Sequence, residues 1–226
     1  MTQQQYRWSG LAGIAGAALF IFVFVFVGVV VGTDTSIGGF PGIRAGRTVE
    51  NGMYLAVLIL WIAPFLAAQS ALSESRPVLA RYGGTLGVVA LGILAAGALP
   101  HVASVPIADL YHSPDATAAD RVALAAAWQA NQAILNMLLV TGLAIAPIGV
   151  IRLGLGMLRS PTFGRSIGLA SVGFGVIGAA AAIVLLVDPL SPIAVVGFLA
   201  LIAFHFVVGW RLYAVYDPAH RHRPSR

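Results

Sequence analysis

The chain has 226 residues, of which 59% are hydrophobic and only 9% charged, with a formal net charge of +5. A water-soluble domain carries about 25% charged residues, so this composition excludes one and points to a protein that lives in lipid. The sequence contains no cysteine, which excludes disulfides, thiolate metal centres and cysteine nucleophiles.

A membrane helix needs about 20 mostly apolar residues. In chain order, six stretches meet that demand: about 10–32, 53–73, 84–105, 122–151, 166–187 and 191–213. The first is too long for a signal-peptide core and no small-x-small cleavage site follows it, so it reads as a span. The expected fold is therefore all-α, a single polytopic bundle of six transmembrane helices over residues 1–226, with a basic tail at 214–226.

An even number of spans puts both termini on one side. With that side cytoplasmic, Arg7, Arg76, Arg81, Arg152, Arg159, Arg165, Arg211, Arg221, Arg223 and Arg226 lie inside, and only Arg44, Arg47 and Arg121 lie outside. The bias follows the positive-inside rule and predicts a multi-pass protein of a cell membrane, the bacterial inner membrane. It also makes the positive charge a topology device facing an anionic inner leaflet and not a nucleic-acid patch. Tyr6, Trp8, Tyr82, Trp210 and Tyr213 read as an inner aromatic belt, and Tyr54, Tyr111 and Trp128 as an outer one. The tail's His220-x-His222 pair is too sparse for a metal site, and no metal is expected.

Small residues recur where helices pack in lipid. Gly164, Gly168, Ser171, Gly175, Gly178 and Ala182 mark one face of the fifth span, while the third carries Gly83 and Gly87, then Gly92 and Ala96, and the first carries Gly13 and Ala17. These seams read as packing within the chain's own bundle, with a dimer as the other use. Ile62-Ala63-Pro64 with Pro77, Arg81 and Gly84 is echoed by Ile145-Ala146-Pro147 with Pro161, Arg165 and Gly168, which raises a duplicated hairpin.

Polar groups collect at the outer end. Thr117 and Asp120 have capping-box spacing and predict a helix starting near Ala118. On it, Gln129, Gln132 and Asn136 share a face, and His101 on the preceding helix reaches a similar level, making a candidate polar cluster. If the fourth span ends inside at Arg152 this cluster lies in hydrocarbon; if it ends at Arg159 the cluster lies at the headgroups. The outer stretch 38–52 reads as a glycine-rich loop in which Arg44 and Arg47 are candidate anion ligands. His205 stands alone in the sixth span, about 9 Å above Arg211. It is a candidate haem ligand or proton relay, or a neutral imidazole bonded to Thr141, to a carbonyl freed by Pro147 or to a similar group.

The stretches "NGMYLAVLILWIAPFLAAQSAL" and "GLGMLRSPTFGRSIGLASVGFGVIG" resemble a broad group of uncharacterised six-span bacterial proteins, common in actinobacteria. In this chain the proline of the turn entering the fifth span is displaced, at Pro161. The resemblance implies an integral membrane protein and carries no activity.

No zinc-helix, nucleophile-elbow or phosphate-loop motif appears, so no catalytic residue is expected. The first functional reading is a non-catalytic subunit or stabilising component of a membrane assembly, partnered by other membrane subunits or by a second copy. The alternative is a small-solute or lipid transporter using the outer polar cluster. A third is a haem-bearing redox subunit built on His205; no other cofactor is expected.

Overall fold

A computed structural model describes residues 1–32 and 36–216. The described residues are helical, without strands. Helix α1 (Gln3–Phe26) runs on through a π-helical turn at Val27–Val31. It is followed by α2 (Phe40–Leu72), α3 (Pro77–Ala96), α4 (Ala98–Tyr111), α5 (Ala118–Met157), α6 (Gly164–Val187) and α7 (Ala194–Val215). Taking α3 and α4 together, six helical stretches are long and apolar enough to cross a membrane, the build of a multi-pass membrane protein. The His220-x-His222 pair and most of the 214–226 tail lie outside the described residues.

The helices form a ring in the order α1, α2, α3, α5, α6, α7, closed by α7 against α1. Tyr6 stacks on Tyr216 with centroids 4.3 Å apart, and its hydroxyl donates to Ser70 Oγ at 3.0 Å. Both ends of the helical chain thus sit beside the 73–76 turn, here called the inner end. Tyr6 is buried, so it belongs to the core and not to an aromatic belt, whereas Trp8, Tyr82 and Trp210 are exposed.

Lipid tails are as apolar as leucine, so helices hold together in a membrane by close contact. Here glycine supplies it. A Cβ on Gly149 of α5 would stand 2.8 Å from the Gly87 nitrogen and 2.9 Å from the Gly83 carbonyl oxygen of α3. A Cβ on Gly10 would meet the Gly209 carbonyl oxygen at 2.6 Å, and one on Gly209 the Gly10 oxygen at 2.7 Å. On α6, Gly168 and Gly175 pack against Leu158 and Ile151. These seams are used within the chain. Gly164 (φ +78°) opens α6 with nothing packed on it, and Gly92 is exposed with open space around it, so neither is a packing contact. The hairpins α2–α3 and α5–α6 each close by glycines of the outgoing helix on side chains of the incoming one: Gly84 on Gln69 and Gly87 on Phe65, then Gly175 on Ile151. The echo stops at the turns, since Pro77 opens α3 whereas Pro161 lies in the turn before α6.

The expected spans are too short at the outer end. The 38–52 stretch is no loop: helix begins at Phe40, with Pro41 in its first turn. Phe40 packs on Trp128 at 5.2 Å, edge to face, in a small cluster with Ala108 that is separate from the main core. The third span breaks at Gly97, three residues before Pro100, whose ring nitrogen cannot donate to the Ala96 carbonyl. Helix α5 does begin at Ala118, with Thr117 Oγ1 accepting from the Asp120 nitrogen at 3.2 Å. The outer ends of α2, α4 and α5 thereby form a lobe standing beyond the other helices.

Candidate functional site

The level of the polar cluster follows from the packing at the inner end. Gly156 of α5 lies against Leu72 of α2 and close to Leu79 and Arg76, so Met157 is level with the inner turn. Arg152 is exposed more than a turn above that level, the geometry of an arginine that snorkels, which fits a span that runs on to Arg159. Counting 1.5 Å per residue, Asn136 stands about 32 Å above Met157 and Glu50 about 33 Å above Leu72. A hydrocarbon layer about 30 Å thick that starts at the inner turns ends at this level.

There the lobe meets the bundle, and three adjoining chambers open between them. One, of about 210 Å³, lies between α2, α4 and α5; among its walls are Arg47, Glu50, His101, Ser104, Gln132 and Asn136. A second, of about 370 Å³, lies between α2 and α4, with Arg44, Arg47, Asn51 and His101 in its walls. The third, of about 200 Å³, goes down into the bundle among α1, α2, α3, α5 and α7. Its lower walls are Phe20, Val23, Phe24, Leu94, Leu139 and Phe198, and Glu50, Asn51, His101 and Asn136 stand at its polar rim. His101 lines all three chambers.

Of the expected cluster, the fold brings together His101, Gln132 and Asn136 and turns Gln129 to the exposed surface, away from the chambers. It adds Arg47, Glu50, Asn51 and Tyr54. Arg47 and Glu50 form an ion pair of 2.9 Å, their side chains 17% and 15% exposed, so the pair is sheltered. Arg44 pairs with Asp109 of α4 at 2.7 Å with both side chains about half exposed. Neither arginine is the unpaired loop fork expected of an anion ligand. Asn51 Oδ1 is buried with no hydrogen-bond donor among the described residues. The chamber wall is braced: Asn131 Nδ2 donates to the Pro100 carbonyl at 2.7 Å and to Ser104 Oγ at 3.0 Å, tying α5 to α4. Tyr54 and Trp128, expected in an outer belt, are a chamber wall and a lobe-core residue respectively.

His205 lies elsewhere, fully buried between α1, α2 and α7. Its ring stacks on Trp61 with centroids 4.1 Å apart and 7° between planes, while Phe65 and Phe204 approach at 5.1 and 5.2 Å. Nδ1 bonds to the Leu201 carbonyl of its own helix at 2.8 Å. A carbonyl only accepts, so Nδ1 carries the proton. The partner is thus neither Thr141, which donates to Met137, nor a carbonyl freed by Pro147. Nε2 is buried without a partner, and His205 lines none of the three chambers. Trp61 thus covers one face of the imidazole. Among the described residues no group of three or more His, Asp or Glu side chains is placed to hold a metal ion.

Comparison of the chain with protein-family models, with curated proteins and with solved structures gives no match.

Proposed function

We propose that this chain is a multi-pass protein of a bacterial cell membrane, with cytoplasmic termini, that binds an amphiphile at its outer end. The polar head sits among Arg47, Glu50, His101, Gln132 and Asn136, and the apolar part descends between Phe20, Phe24, Leu139 and Phe198. One observation carries the reading: the chambers share His101 and grade from a sheltered ion pair to a phenylalanine-lined floor. Ligand sites are concave and mostly apolar with a few convergent polar groups. Of the readings the sequence leaves open, this favours lipid or small-solute handling, because a purely structural subunit has no use for such a graded cavity. The arginine distribution supports the orientation.

Leu139→Trp tests the reading by filling the apolar chamber while leaving the polar groups in place. Native mass spectrometry of protein extracted mildly from its own membranes is expected to show a retained 1:1 lipid-sized adduct. The variant should keep its melting temperature and lose that adduct. An adduct that survives the filled chamber sits elsewhere and overturns the proposal.

A further inference from the structure

The head-group end of the site has a charge pattern of its own. Arg47 and Glu50 are one helical turn apart on α2 and reach each other at 2.9 Å on the chamber wall. Beside them Asn51 Oδ1, an acceptor, is buried without a donor on the wall of the two chambers that Asn51 lines. A buried acceptor left unpaired is costly, and a ligand N–H that reaches it removes that cost. Around His101 the first chamber adds Ser104 and the amides Gln132 and Asn136, which carry no charge, and the second adds Arg44, whose charge Asp109 balances.

From this we infer that the site takes a zwitterionic head that carries an N–H-bearing ammonium and an anionic phosphate, the phosphatidylethanolamine class of lipid. The inference rests on the reading of the chambers as an amphiphile site. The head exchanges the Arg47–Glu50 pair for two crossed pairs, phosphate on the Arg47 guanidinium and ammonium on Glu50. Arg47 offers a planar fork suited to two phosphate oxygens. Because each protein charge keeps a partner, no charge is left bare in a sheltered place, which is the expensive outcome. The ammonium hydrogens also supply the donor that Asn51 Oδ1 lacks.

Two close relatives of this head are disfavoured for different reasons. A phosphatidylglycerol head brings an anion only, so Glu50 loses Arg47 and gains nothing. A phosphatidylcholine head is zwitterionic, but its quaternary nitrogen has no N–H to give to Asn51. Discrimination of this kind comes from the penalty on the wrong ligand as much as from contact with the right one.

The test uses the full chain in detergent, titrated with equal amounts of dioleoyl phosphatidylethanolamine, phosphatidylglycerol and phosphatidylcholine and read by native mass spectrometry. The ethanolamine lipid is expected to occupy the Leu139→Trp-sensitive site roughly tenfold more tightly than either competitor, about the value of one good polar contact. Glu50→Gln should erase the preference over phosphatidylglycerol. Asn51→Leu, an independent variant, should erase the preference over phosphatidylcholine. Equal binding of all three lipids, or preference for the glycerol lipid, at a site still closed by Leu139→Trp overturns the head-group assignment and leaves the amphiphile site standing. No binding sensitive to Leu139→Trp overturns both. Tail-less glycerophosphoethanolamine is the last arm: binding as tight as the lipid's makes the ligand a small solute and rejects the lipid.

Discussion

His205 and Gly149 show two ways a single residue holds a bundle in lipid. The histidine satisfies its one proton within its own helix and presents a flat face to Trp61, so it acts as an aromatic plate between α2 and α7. Gly149 works by having no side chain. A methyl group there would lie against the backbone of α3 at 2.8–2.9 Å, and backbone has no rotamer by which to move aside. Gly149→Ala is therefore expected to force α3 and α5 apart and to cost about 1–3 kcal/mol, the usual penalty for overpacking. Gly173→Ala on α6 meets nothing within 4 Å and should leave stability unchanged or slightly raised, as alanine favours helix over glycine. Reversible unfolding of both variants in mixed micelles gives the comparison; equal stability would contradict the packing described.

At the scale of the helices, what could be read from the sequence was whatever depends on local chemistry. The six apolar runs and the Thr117–Asp120 cap are local, and both appear in the fold. The outer end of α2 was not legible. Glycines at 42, 46 and 52 and proline at 41 describe a loop by composition, yet Phe40 finds Trp128, 88 positions later, and that contact supports helix over 40–52. Missing this helix hid Glu50 and Asn51 from the candidate site and put Arg47 in the wrong setting, while Tyr54, inside the expected span, was read as part of the outer belt. Gln132 and Asn136 were legible because helical periodicity groups them, and His101 because its distance along the preceding helix brings it to the same level; Gln129 was included on the same periodicity, but the lobe turns it outward. Trp128→Ala is expected to remove the lobe's core and cost about 3 kcal/mol locally. In hydrogen exchange, amides of residues 44–52 should lose protection while those of 57–72 keep theirs. Uniform loss along α2 would contradict a lobe that is separately packed.

Across the whole molecule, helix length decides where a site can be. α6 and α7, at 24 and 22 residues, are about as long as a bilayer requires, whereas α2 and α5 run to 33 and 40. The surplus length all falls at the outer end, where it builds a lobe over the mouth of the ring. The chambers lie at that junction, with polar walls from the lobe helices and apolar walls from the bundle. Neither layer alone carries the gradient from ion pair to phenylalanine. The proposed function requires an amphiphile lying along this gradient. The most direct measurement is an electron cryo-microscopy map of the protein in nanodiscs of its own membrane lipid. Elongated density is expected, with its head between Arg47, Glu50 and His101 and its tail against Phe24, Leu139 and Phe198. Compact, water-like density confined to the polar chambers, with the apolar one closed by its own side chains, would contradict it.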